Sequence, residues 1–201
     1  TINGYDLLSQ PKQAKAHIGY LPEQPPLYKE LSVIEFLSFC ARINQIPSAK
    51  RKQAVETTIE RCGLGNVRKR LISHLSKGYQ QRVGIAQAIV HTPAVIILDE
   101  PTSGLDPIQI REIRQLIKDI SQEHSVILST HILPEVQMLC DRVKIINQGT
   151  LVFNDTTQAL QQQMQSSSLL VTFESPPTLT TLEQINGVTL VTALSNTRFK
   201  I

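Results

Sequence analysis

The chain has 201 residues, 41% hydrophobic and 18% charged, with a net charge of +3, a globular profile with room for a buried core and one or two domains. Lys and Arg are scattered apart from Val67–Arg70 (VRKR), which reads as a solvated face; Trp is absent and aromatics are 4% of residues, so no base-stacking platform is indicated and no nucleic-acid partner is expected. Cys40, Cys62 and Cys140 are odd in number with no C-x-x-C spacing, which fits free thiols in a reducing compartment; the opening TINGYDLLSQPKQ lacks a signal-peptide order, and no apolar run approaches the ~18 residues of a membrane span.

Residues 1–7 (TINGYDL) predict a strand, an Asn-Gly turn and a short return. Ala16–Pro22 (AHIGYLP) predicts a short strand stopped by Pro22, and the consecutive prolines of EQPPLYKEL make the next stretch a loop. Ser32 then caps a helix over VIEFLSFCARI, with Glu35 at the capping-box position and apolar residues 33, 36, 37 and 40 on one face. A second helix, opened by Ser48 after Pro47, covers 48–62 and stops at Cys62–Gly63. A third follows Ser76 and runs to about His91, before Pro93, so residues 30–92 read as all-helical.

Beyond them strand and helix alternate: strand 94–98, helix 107–120, strand 125–129, helix 132–140 and strand 142–147. This alternation implies a parallel sheet covered by helices, with Ile110, Ile113, Ile117 and Ile120 forming the inner face of helix 107–120. Asn147–Phe153 (NQGTLVF) predicts a hairpin, and Gln158–Ser168 a fraying helix that runs into a linker. A small βαβ-like segment follows: strand LLVTFES, helix TLTTLEQI and strand GVTLVTAL, before the closing TRFKI.

Ligands of open parallel sheets bind beyond the carboxyl ends of the strands. Asp99 and Glu100 stand there, directly after the apolar Ala94–Leu98. One carboxylate at that point can hold Mg²⁺, which prefers hard oxygen donors, and a second can polarise an attacking water. An Asp before a turn is also a common structural feature, and Asp106 before Pro107 is first of all a helix cap with proline at the first helical position. His74–Arg82 (HLSKGYQQR) sets Ser76, Lys77 and Gly78 at a helix start, where free N–H groups, the helix dipole and a hydroxyl form a weak anion site. His131 follows strand 125–129 and so comes to the same edge of the sheet as Asp99.

The order of these motifs resembles the nucleotide-binding subunit of ABC transporters, over roughly residues 1–155. ILDEPTSGLD matches that family's metal-binding strand, catalytic glutamate and D-loop; LSKGYQQR resembles its LSGGQ signature, STH its switch histidine and IGYLPEQ its Q-loop. The resemblance implies an α/β, P-loop NTPase-like parallel sheet with its N-terminal part missing, carrying an inserted helical subdomain (about 30–92). A linker (156–167) and a truncated small α/β C-terminal extension (168–201) would follow. It implies ATP and Mg²⁺ as cofactors, Asp99 and Glu23 toward the metal, Glu100 as general base and His131 against the γ-phosphate. Ser76, Lys77 and Gly78 would face the ATP of a second ATPase subunit, and Ser103, Gly104, Leu105 and Asp106 would couple the two sites. It further implies transmembrane permease partners, export rather than import, and a place on the cytoplasmic face of the cell membrane.

Three departures stand out. Lys77 and Tyr79 replace Gly and Gln of the signature, and Glu23 stands where the Q-loop glutamine is expected, with Gln24 next to it. None of the nine glycines is followed by lysine, so the G-x-x-x-x-G-K-[ST] phosphate cradle is missing, as is the aromatic residue expected before it to stack on adenine. The expectation is a fragment cut at both ends, inactive alone. The alternatives are a soluble ABC ATPase of translation or DNA repair, and a non-enzymatic truncated interaction module.

Overall fold

The structure is a computed structural model that describes residues 1–165, 169–188 and 190–201. The chain falls into two compact units, Thr1–Leu139 and Cys140–Ile201. Among the described residues no helix is long and apolar enough to cross a membrane.

The first unit opens on a tight reversal in which Ile2 and Tyr5 exchange backbone hydrogen bonds. Asn3 (φ +47) and Gly4 (φ +85) supply the two left-handed residues that such a turn requires. A short helix α1 (Pro11–Ala16) leads into β1 (Ile18–Leu21). Three helices follow: α2 (Val33–Ile43), α3 (Ser48–Arg61) and α4 (Lys77–Ile89). Then come β2 (Val95–Asp99), α5 (Pro107–Ser121), β3 (Ser125–Ser129) and α6 (Leu133–Leu139).

The strands form one parallel sheet in the order β1-β2-β3. The register is uninterrupted: Ile18 faces Val95, Leu21 faces Leu98, Val95 faces Ser125 and Asp99 faces Ser129. The central strand is the most apolar of the three, as parallel strands covered on both faces are. Ile96 and Leu98 are fully buried, and Leu21, Ile85, Ile113 and Ile120 close on the same core. Each such side chain contributes about 1.5–3 kcal/mol of burial.

The helical region is locally well specified. Glu35 reaches back to accept the Ser32 backbone N–H (2.9 Å) and its hydroxyl (2.5 Å), the capping box expected from SVIE. These hydrogen bonds hold the Glu35 carboxyl below its ordinary range. Val33, Phe36, Leu37 and Cys40 are buried on the face that the spacing predicts. The Val67–Arg70 strap is structural: the Arg70 and Arg68 carbonyls accept the Val33 and Ile34 N–H groups (3.2 and 3.0 Å), two donors that the first turn of α2 leaves without helical partners. Helix α3 ends as expected, with Gly63 at φ +65.

Three details differ from expectation. The central strand includes Asp99, and the buried face of α5 is Ile113, Leu116, Ile117 and Ile120, with Ile110 only partly buried. The segment 142–147 does not extend the parallel sheet. It is β4 (Arg142–Asn147), paired antiparallel with β5 (Thr150–Thr156). Gln148 (φ +47) and Gly149 (φ +76) reverse the chain at once, so the local partner takes the strand.

In the second unit α7 (Thr157–Gln165) follows β5 directly, with Leu160 buried. Residues 166–168, the end of the expected linker (156–167) and the first residue of the expected extension, lie outside the described residues, as does Thr189 of the expected strand GVTLVTAL. The extension contains β6 (Leu170–Thr172), α8 (Leu179–Glu183), β7 (Thr192–Ala193) and β8 (Arg198–Lys200), in sheet order β6-β8-β7. Because β8 is antiparallel to both neighbours, β6 and β7 run parallel with a strand between them, a split βαβ unit. Phe199 of the closing TRFKI is buried and packs edge-on against Phe173 at 5.8 Å.

Gly19 marks the tightest contact between sheet and helix. A Cβ there would run into the Ala88 carbonyl of α4 and lie 2.9 Å from Pro93 Cγ. Gly65 has open space at the same position. Urea unfolding should show G19A destabilised by about 1–3 kcal/mol, the usual cost of overpacking, and G65A close to wild type. Equal stability of the two variants would contradict this packing of β1 on α4.

Candidate functional site

The in-phase strands deliver three loop starts to one edge of the sheet. Glu23 follows β1 by two residues, Glu100 follows β2 directly, and His131 follows β3 by two. Asp99 is the last paired residue of β2, opposite Ser129. Glu100 then takes a left-handed conformation (φ +45), which costs a non-glycine residue about 1–3 kcal/mol. The surrounding turn holds it there. The Glu100 N–H donates to the Ser129 carbonyl (2.9 Å), the Ser103 N–H to the Glu100 carbonyl (3.1 Å), and the Leu105 N–H to the Thr102 carbonyl (3.2 Å).

The Glu100 side chain is 17% exposed and that of His131 is 79% exposed. One carboxylate oxygen, Oε1, accepts both the His131 backbone N–H (3.0 Å) and the imidazole Nδ1–H (2.8 Å). The other, Oε2, is buried and has no hydrogen-bond partner among the described residues. The hydrogen bond to Glu100, then its charge, reinforced by Glu135 and Glu23, pushes the His131 imidazole upward from its ordinary value. Glu23 is therefore electrostatically part of this edge, although it is exposed.

A second group gathers at the start of α4. Ser76 caps the helix by accepting the Tyr79 N–H (3.4 Å). Gly78 is buried against Gln109: a Cβ there would lie 2.6 Å from the Gln109 side chain. Lys77 lies with its Nζ over Gly104 (φ +67), where a Cβ would collide with it. Asp106 accepts the Ile108 and Gln109 N–H groups (both 2.9 Å) and so caps α5. The turn 100–106 thus joins the two groups along the chain: Glu100 with His131 at its start, and Lys77 and Gly78 against Gly104 and Gln109 near its end.

The sequence reading missed Glu135. It is fully buried in α6. Its Oε1 accepts the Thr102 hydroxyl (2.7 Å) and Arg114 Nη2 (3.0 Å), and its Oε2 accepts the Thr130 hydroxyl (3.3 Å). An acid in the first turn of a short helix ordinarily reads as a favourable partner of the helix dipole. The available signal was its place between Leu133 and Val136, on a helix that has to pack.

Among the described residues no group of three or more His, Cys, Asp or Glu side chains is arranged to hold a metal ion. The donors at the sheet edge suit Mg²⁺ better than a metal enclosed by protein, since Mg²⁺ commonly takes one or two carboxylates and completes its shell with water and phosphate oxygens. The buried, unpartnered Glu100 Oε2 fits the same picture of hard oxygen at the edge.

A sequence model of the family described as ABC transporter matches residues 1–103. The chain is 33% identical over 177 residues to the ABC transporter ATP-binding protein NatA of Bacillus subtilis, covering 87% of this chain and 72% of NatA. It is 34% identical over 161 residues to the ABC transporter ATP-binding protein YxlF of the same organism, covering 80% of this chain and 55% of YxlF. The solved structure of cbiO1 from Clostridium perfringens, described as part of the ABC transporter complex cbiONQ, aligns with a TM-score of 0.69 at 28% identity, over 77% of this chain and 63% of that one. The chain spans about half the length of the first curated relatives it matches, 55% and 48%. Likeness of sequence and fold together places the parallel sheet among P-loop NTPase-like α/β folds.

The Glu100–His131 contact has a measurable sign. His131 titrates above an ordinary imidazole, so the stabilisation from its charged form is full at pH below the unfolded-state value and fades as pH rises through the folded one. In Glu100→Gln the upward push is lost, and the His131 Hε1 proton resonance should titrate at lower pH than in wild type. An unchanged midpoint would show that Glu100 does not govern this imidazole.

Proposed function

This chain belongs to the ABC transporter ATP-binding family, and from that premise we propose that it is part of the ATPase subunit of a bacterial export-type transporter, two copies of which close on two ATP molecules to drive partner membrane subunits. The supporting observation is the pair at the sheet edge: a glutamate held in a left-handed turn, one oxygen tied to the switch histidine and the other unpartnered.

In this reading Glu100 is the general base that receives the proton of the attacking water, while the two donors from His131 hold its carboxylate through Oε1. Asp99 and Glu23 would hold Mg²⁺. When bound, the ion supplies positive charge against the phosphate oxygens. Ser76, Lys77 and Gly78 would offer helix N–H groups, a hydroxyl and an ammonium to the γ-phosphate of ATP held by the opposite subunit, and Ser103–Asp106 would link the two sites. Residues 1–155 would form the ATPase part and 168–201 a small extension, with the permease contacted through residues 22–60 or so, on the cytoplasmic face of the membrane. The assembly of cbiO1 within a transporter complex supports such a partner.

The 201 residues contain no G-x-x-x-x-G-K-[ST] sequence, and hence no lysine and N–H cradle to neutralise the β- and γ-phosphates. The isolated chain should show no ATP hydrolysis above its Glu100→Gln control, and a clear excess would overturn this assignment of parts. A tagged copy expressed in its own cell should be recovered with an integral membrane protein. Recovery with ribosomes or DNA instead would favour a soluble ATPase of translation or repair. In the assembled enzyme, Glu100→Gln should lower the hydrolysis rate by about 10²–10⁴-fold, the usual contribution of a general base.

A further inference from the structure

Glu135 is fully buried, yet it accepts hydrogen bonds from three separate pieces of the fold. Thr102 lies two residues after Glu100 in the turn that leaves β2. Thr130 immediately precedes His131. Arg114 comes from the middle of α5, and its side chain is 23% exposed. Thr130 has a double role: its hydroxyl donates to Glu135 Oε2 (3.3 Å) and accepts the Ile132 N–H (3.2 Å). The same hydroxyl therefore fixes the carboxylate and the backbone on the far side of His131.

We propose that Glu135 is a positioning residue, a common buried anchor that keeps the turn after β2 and the segment after β3 in register, so that Glu100 and His131 meet. Glu135 touches neither Glu100 nor His131 through any of these bonds and acts through Thr102 and Thr130. A buried carboxylate suits this task. Its two oxygens can accept from several donors at once, and in a low-dielectric interior each such bond is strong and geometrically exacting. Arg114 supplies the compensating charge that a buried carboxylate requires. An apolar residue of the same volume could fill the space and even match the stability, but it would hold neither threonine.

The meaning of this anchor rests on the reading of Glu100 and His131 as the reacting pair. Its test needs no nucleotide, so failure of the anchor and failure of that reading are separate results. In the ¹⁵N-labelled chain, amide hydrogen exchange at two N–H groups reports the two arms: His131, which donates to Glu100 Oε1 (3.0 Å), and Leu105, which donates to the Thr102 carbonyl (3.2 Å). Glu135→Gln keeps the shape but removes the charge and one acceptor. It should speed exchange at both amides by about tenfold while the amides of β2 and α4 stay protected. Thr130→Val should speed His131 alone, Thr102→Val should speed Leu105 alone, and Thr130→Ser, which retains the hydroxyl, should restore the wild-type rate. The threonine variants carry the test should Glu135→Gln fail to fold. Exchange rising equally at every amide, or unchanged at both reporters, would overturn the proposal and leave Glu135 as a packing residue.

Discussion

The parallel pairing of β2 with a strand on each side is the constraint on which the rest of the first unit depends. Parallel strands that are paired without a register break end together, so Leu21, Asp99 and Ser129 lie along one edge. The loops that leave them have no choice but to meet. Ordinary strand residues fill β2 up to Leu98, and polar chemistry begins at the last paired position. The left-handed Glu100 is the point where the sheet gives way to the site. Its N–H still extends the pairing toward Ser129, while its carboxylate already serves His131. The strain at this residue is offset by the three backbone bonds of the turn and by the two donors from His131, which together hold one conformation.

The helical region matters because it fixes the second group of residues from outside the sheet. Helix α4 lies close enough to β1 that only glycine fits at position 19, and this contact sets where the start of α4 falls. Arg82 ties the region together: Nη1 donates to the Cys62 carbonyl at the end of α3 (3.0 Å), and Nη2 pairs with Glu112 of α5 (2.8 Å). An exposed ion pair contributes little, but this guanidinium is only 18% exposed and joins three helices by position rather than by charge alone. The capping box of α2 and the Arg68 and Arg70 carbonyls satisfy the N-terminal donors of that helix locally. The signature-like turn at Ser76–Gly78 is thus carried on a rigid frame.

Much of this was legible in the sequence, because the signals were local. Caps, prolines and glycines set the helix ends: Ser32 with Glu35, Gly63 after α3, and Asp106 with Pro107. Apolar runs gave β2 and β3 to within a residue. The hairpin expected over Asn147–Phe153 forms as β4 and β5, and what was misread was that β4 would also join the parallel sheet. Long-range partnering could not be read. TRFKI is too short to carry a period, yet Phe199 makes β8 the middle strand of a sheet. In the site, the order of the motifs is distinctive enough to single out candidate residues. Glu135 was not singled out, because its three partners come from positions 102, 114 and 130, and its one local signal, the place between Leu133 and Val136, does not name them. The VRKR cluster was read as a solvated face, whereas it serves the helical region through two backbone carbonyls, the buried Val67 and an ion pair of Arg68 with Glu56.

The departure at Lys77 shows how a motif change is absorbed by its surroundings. Read in sequence, a lysine at the start of a helix that faces phosphate is an added cation. In the fold its Nζ rests over Gly104, where φ of +67 favours glycine and a Cβ would take the space the ammonium occupies, so that the flexible lysine would have to move aside. A cation at a helix N-terminus is disfavoured by the dipole, by a few tenths to about 1 kcal/mol, so leaning away from the helix axis toward the opposite turn relieves part of that cost. Lys77 and Gly104 therefore form one spatial unit that spans two motifs. A side chain added at 104 would force the ammonium out, and a shorter residue at 77 would leave the turn uncovered. Gly104 and Lys77 meet directly in space, and neither position can be interpreted from its own stretch of sequence alone.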